Sequence, residues 1–144
     1  MKPSVIKSNH TQEGAAAVEF AVVAALFFTV LIGVMEMGRM LWGWNAAVEA
    51  TRLGARLAVV CSIGDSIIET RMRERLPDFM TADITVEYFP SSCSASTCTS
   101  VSARLSDYNH QTLIPFISLA VPLPPFQTTL PREGMSSDGN PVCK

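Results

Sequence analysis

The chain has no basic block. Its 11 Lys and Arg are scattered among 13 Asp and Glu over 144 residues, for a net charge of −2. The clustered positive face expected of a nucleic-acid binder is therefore missing. Histidine is scarce: His10 and His110 stand far apart and read as plain surface residues. Cys93 and Cys98 have C-x4-C spacing with no second such pair and no histidine close by, which makes a poor zinc site and a fair disulfide. There is no G-x-S-x-G, no H-E-x-x-H and no pair of carboxylates that can be placed in a cleft. "GVMEMGRM" has the glycine spacing of a phosphate loop, but Arg39 and Met40 stand where Lys and Ser/Thr are required. These absences leave no catalytic group, no metal site and no cofactor to assign, so the chain reads as a non-enzyme.

What the chain does have is apolar surface. Hydrophobic residues make up 48%, and the excess is concentrated in one segment. "FAVVAALFFTVLIGVM", Phe20 to Met35, contains neither a charge nor a proline. As a helix it is about 24 Å long, short of the roughly 30 Å hydrocarbon core, and starting at Ala15 brings it to about 31 Å. Spanning a bilayer thus draws "AAAVE" into the helix and puts Glu19 at the apolar edge. An ionised carboxylate inside the membrane costs about 2–3 kcal/mol unless it finds a partner, and much less if it sits wet at headgroup level. A cleaved signal peptide fits less well: the apolar run exceeds the usual ~7–15 residues and "WNAAVEA" is the nearest cleavage-like stretch. Lys2 and Lys7 before the run face Arg39 and Arg52 after it, so charge alone does not set orientation.

Helical periodicity continues past Met35. Asn45, Glu49, Arg52 and Arg56 form a polar stripe, and Gly43, Ala47, Ala50, Gly54 and Ala58 form a small-residue stripe that lets another backbone approach closely. Met37, Met40, Leu41, Trp44 and Val48 add a bulky edge, and Trp42 and Trp44 suit a membrane interface. One long helix over 15–60 is expected, weakened by about 1 kcal/mol at each of Gly33, Gly38, Gly43 and Gly54 relative to alanine. Asp65 or Ser66 can cap a second helix through "IIETRMRERL", with Glu69 and Arg73 paired on its face and Pro77 ending it. "ITVEYF" (84–89) and "SVSARLSDY" (100–108) alternate as strands around a small polar loop, and "FQTTL" reads as a short last strand. Four prolines in "TLIPFISLAVPLPPF" exclude a second regular membrane helix. The tail after Pro131 is loose unless Cys143 pins it. Cys61, Cys93, Cys98 and Cys143 allow three full pairings; Cys93 with Cys98 closes a short loop, and Cys61 with Cys143 would hold the tail. The expected fold is α+β, a long N-terminal helix, half transmembrane, packed on a small antiparallel sheet.

Gly14, three alanines, Val18, Glu19 and Phe20 before an apolar helix resemble the processing site of type IV pilin-like proteins, in the short-leader version of Flp-type pilins. The continuation "IGVMEMGRMLWGWNAAVEATRLGARLAVV" resembles the TadE-like family of tight-adherence (Tad) pseudopilins. The family motif falls on Glu36, Gly38 and Arg39, followed by "ATRLGAR" at 50–56. The resemblance is strong over roughly residues 14 to 60 and weaker beyond, where only the strand ending in "YNHQTLIPF" fits the family pattern.

The resemblance implies a leader, 1–14, cut by a prepilin peptidase between Gly14 and Ala15. It further implies a single inner-membrane helix, 15–36, with the N-terminus cytoplasmic, a periplasmic helical part, 37–80, and a small β-rich part with a loose tail, 81–144. The implied role is that of a minor pilin or pseudopilin of a Tad secretion system, needed for assembly of adhesive pili. Its implied partners are the lipid bilayer, other Tad pilins and the inner-membrane assembly platform. Glu19, beside Phe20, would pair with the new ammonium of Ala15 in a neighbouring subunit. The alternative is an uncleaved, signal-anchored periplasmic module that binds an envelope partner.

Overall fold

The structure, a computed structural model, describes residues 11–77, 81–114 and 119–144. Lys2, Lys7 and His10 lie outside them, as do residues 78–80 and 115–118. Helix α1, Thr11–Val60, runs without a break for 50 residues through all its glycines. It begins before Ala15, where the sequence alone placed its start. The chain divides into two compact units, Met1–Met37 and Gly38–Lys144.

In the first unit the described side chains are almost all exposed: Phe20 is 75% accessible, and Val18, Leu26, Phe27, Val30 and Val34 all exceed 60%. The Thr29 hydroxyl donates to the Ala25 carbonyl at 2.8 Å, so the polar group in the middle of the apolar run is satisfied within the helix.

The second unit is α+β. Helix α2, Ser66–Arg73, follows a turn in which Gly64 adopts φ +75°, a conformation that favours glycine. Strands β1 (Asp83–Phe89), β2 (Ser100–Ser106) and β5 (Phe126–Pro131) form an antiparallel sheet in the order β1-β2-β5. Strands β3 (Asn109–Gln111) and β4 (Ala120–Pro122) form a separate two-stranded hairpin. The central strand aligns Leu105 with Ile84 and Phe126, Ala103 with Val86 and Thr128, and Val101 with Tyr88 and Leu130. These rows join Ala47, Ala55, Leu57 and Ala58 of α1 in one core. On the other face, Gln127 and Thr129 donate to the Ser102 hydroxyl at 2.8 and 3.2 Å.

The small-residue stripe of α1 is consumed inside this unit. Gly43, Ala47, Ala50, Gly54 and Ala58 are all buried, and a Cβ at Gly54 would overlap the Met72 side chain of α2. The close approach that these residues permit is made by the chain's own α2 and sheet. His110, expected at the surface, is instead 2% exposed in β3, because the hairpin folds it against the unit.

The tail is fixed, not loose. Met135 and Ser136 donate to the Val59 and Val60 carbonyls at 3.2 and 2.9 Å, filling acceptors that the end of a helix leaves without intrahelical donors. Ser62 N–H donates to Ser137 Oγ at 2.9 Å, and Ser137 N–H donates back to Ser62 Oγ at 3.0 Å. A disulfide joins Cys61 to Cys143, 82 residues apart, and a second joins Cys93 to Cys98.

Candidate functional site

The polar groups between α2 and β1 are committed to structure. A shallow groove of about 270 Å³ between α2 and β1 is lined by Asp65, Glu69, Ile84 and Tyr88 among others. Asp65 is the N-cap of α2, accepting from Ile67 N–H, and Ser137 Oγ donates to its Oδ2 at 2.6 Å. The Ser137 bond, followed by that from Ile67, holds the Asp65 carboxyl below its ordinary value of 3.8. Glu69 pairs with Arg73 at 2.8 Å. Tyr88 accepts from Gly64 N–H at 3.4 Å, and burial raises its phenol. Among the described residues no group of three or more His, Cys, Asp or Glu is brought together that could hold a metal. The arrangement holds α2 against β1 and the tail; it does not aim an acid, a base and a nucleophile at one point.

The remaining candidate is the surface of α1. Gly14 and Ala15 fall in its first turns, and both are exposed. The first four N–H groups of a helix lack intrahelical acceptors, so this end opens at little cost. Glu19 and Phe20 follow, both exposed, and Glu19 lies one turn beyond Ala15 on the same helical face. Beyond them stretches the uncovered apolar run, the one helix among the described residues long and apolar enough to cross a membrane. A continuous exposed surface of Phe, Leu and Val is unstable in water, so it calls for lipid or other apolar helices around it. Glu36 and Arg39 are half-buried, while Gly38 is exposed with open space about its Cα. The polar stripe Asn45, Glu49, Arg52 and Arg56 is solvent-exposed throughout. Trp44 meets Phe126 edge to face at 4.8 Å, and Phe126 meets Tyr108 in the same manner at 5.9 Å.

Residues 14–56 match the family described as TadE-like protein. This segment is similar to TadE-like proteins. The match opens at Gly14 and takes in Glu19, Phe20, Glu36, Gly38, Arg39 and the "ATRLGAR" stretch. No curated protein and no solved structure matches the chain. The TadE-like segment therefore contains the apolar helix and its continuation to Arg56, while the sheet and the tail lie outside it.

Sequence reasoning missed two features of the second unit. The Ser62–Ser137–Asp65 linkage joins residues more than 70 positions apart, and nothing in the local pattern marks it. The pairing of β3, just before the proline-broken apolar run, with β4 inside it was not legible, since each strand is three residues long.

Proposed function

We propose that the chain is a minor pilin or pseudopilin of a Tad system, anchored by its apolar helix and required for assembly of adhesive pili. The observation that carries this reading is the match that opens at Gly14, just before an apolar run whose large described side chains are exposed. A prepilin peptidase removes residues 1–14, opening the first turn of α1 where the helix is least bonded. Glycine on the leader side of the cut allows close approach of the peptidase to the backbone. Cleavage leaves an ammonium on Ala15. As subunits pack through their apolar helices, Glu19 of one chain receives the ammonium of its neighbour. In lipid this pairing removes two separate burial costs and favours one register over others. The role is structural, with no reaction catalysed; the second unit is periplasmic, where oxidising conditions sustain the two disulfides.

The test is the mass and N-terminal sequence of the protein recovered from membranes, with and without the peptidase. A chain starting at Ala15 only when the peptidase is present is the expected result. An intact N-terminus under both conditions would replace this reading with that of an uncleaved anchored module, and a start beyond Trp44 with that of a secreted protein.

A further inference from the structure

Strand β1 is an edge of the main sheet, and its backbone is partnered on one side only. Arg132 N–H donates to the Thr99 carbonyl at 3.1 Å, which continues the β2–β5 register past Ser100 and Pro131. Alternate residues of a central strand bond to opposite neighbours. The backbone groups of Val101, Ala103 and Leu105 therefore point to β5, and those of Ser102, Arg104 and Ser106 point to β1. The β1 partners of the latter are Glu87, Thr85 and Asp83. The N–H and C=O groups of Ile84, Val86 and Tyr88 are left facing the open edge, and no other described residue bonds to them.

Edges of this kind are commonly blunted by proline, lysine or a bulge. The strand "DITVEYF" contains neither residue, and it pairs with β2 in unbroken register from Asp83 to Phe89. Beside it runs the groove of about 270 Å³, lined by Ile84, Val86 and Tyr88 from β1 and by Ile68 from α2. The three strand residues are only half-buried. Side chains alternate between the faces of a strand, so a strand added at this edge drops every second side chain toward the groove. On the opposite face it meets Asp83, Thr85 and Glu87, all exposed. Arg104 stands one strand further in, opposite Thr85.

We infer that β1 is a strand-addition site, taking an extended segment of another protein in which apolar residues alternate with Lys or Arg. Main-chain hydrogen bonds to Ile84, Val86 and Tyr88 make the attachment, and the groove takes the apolar side chains. Asp83 and Glu87 pair across the strands with the basic ones. A second copy of β1 does not fit. In each antiparallel register centred on Thr85, Val86 or Glu87, Glu87 of one copy falls opposite or diagonal to Glu87 or Asp83 of the other, and like charges so placed repel. The inference rests on the second unit alone, and stands apart from the processing and anchoring of α1.

The test uses the full-length chain in dodecyl maltoside, an uncharged detergent, with fluorescein-labelled heptapeptides. One alternates Lys with Val, one Glu with Val, and one Lys with Pro, which keeps the charge but cannot pair along an edge. Fluorescence anisotropy reads affinity, and amide hydrogen exchange reads the edge. The Lys–Val peptide is expected to bind at least about tenfold more tightly than the other two. It is expected to slow exchange at Ile84, Val86 and Tyr88, and to leave Thr85 and Glu87, already bonded to β2, unchanged. Val86→Pro removes an edge-facing N–H without touching the ladder to β2, and is expected to abolish binding. Glu87→Lys, at an exposed position, is expected to shift preference toward the Glu–Val peptide. Equal binding of the Lys–Val and Lys–Pro peptides would mean attraction of charge without strand addition, and overturns the inference. Equal binding of the Lys–Val and Glu–Val peptides overturns it too, as does a Kd weaker than about 1 mM for the Lys–Val peptide. Slow exchange at Ile84, Val86 and Tyr88 without peptide, together with a dimeric mass by light scattering, would mean that a second copy covers the edge, which also overturns it.

Discussion

Met72 of α2 lies directly over Gly54 of α1, with its Cγ 2.8 Å from where a Cβ on residue 54 would stand. The two helices approach so closely only because residue 54 has no side chain. Gly38, by contrast, has nothing within 4 Å of its would-be Cβ.

These two glycines should therefore respond oppositely. Gly54→Val is expected to destabilise the second unit by about 1–3 kcal/mol through overpacking. Gly38→Ala is expected to leave it unchanged or stabilise it by up to about 1 kcal/mol through helix propensity. Denaturant unfolding of the full chain in detergent, followed by tryptophan fluorescence, measures both. Equal effects would mean that the α1–α2 approach is looser than the structure has it.

The two disulfides differ in the loops they close. The Cys61–Cys143 bond spans 82 positions and the Cys93–Cys98 bond spans 5. Loop-closure entropy gives about 4–5 kcal/mol for the first and about 2 kcal/mol for the second. Replacing Cys61 and Cys143 by serine should thus lower the unfolding midpoint more than replacing Cys93 and Cys98. It should also raise amide exchange selectively at Met135 and Ser136.

Asp65 links the start of α2 to the tail, and its folded carboxyl titrates below the ordinary value of 3.8, first because of the Ser137 bond. A depressed folded value means a stabilising contribution present above the unfolded value and lost as pH falls through the folded one. Asp65→Asn is accordingly expected to lower the melting temperature at pH 7, with the gap to the native chain closing as pH drops below about 4. Ser137→Ala should weaken the same pH dependence. A gap that stays constant down to pH 3 would remove the Ser137 bond from the account.

Glu19 separates processing from assembly. Glu19→Gln is expected to leave removal of the leader intact while losing a charge-assisted contact worth about 1.5–3 kcal/mol, a decrease in assembly of about tenfold or more. Immunoblotting of membranes reads the first, and counting of surface pili the second. Undiminished piliation would take the subunit pairing away from Glu19.

Much of this protein was legible in one dimension because its largest feature is local. A helix needs only periodicity and suitable residues, so the uncharged run, the polar stripe of Asn45, Glu49, Arg52 and Arg56 and the unbroken course to Val60 could all be read directly. The alternation in "ITVEYF" likewise marked β1, and Asp65 before an amphipathic stretch marked the start of α2. The TadE-like segment, 14–56, falls within this locally determined part.

What the sequence by itself determined is therefore an apolar helix long enough to span a bilayer, a polar continuation and a short sheet. The tertiary structure decided where each long-range partner lies. It chose one of three cysteine pairings, placed β2 between β1 and β5, set Gly54 of the small-residue stripe against Met72, and brought Ser137 to Asp65. Each of these joins residues whose meeting depends on the path of the intervening chain. Spacing along the sequence sets which face a residue takes on its own helix or strand; only packing of whole elements sets what that face meets.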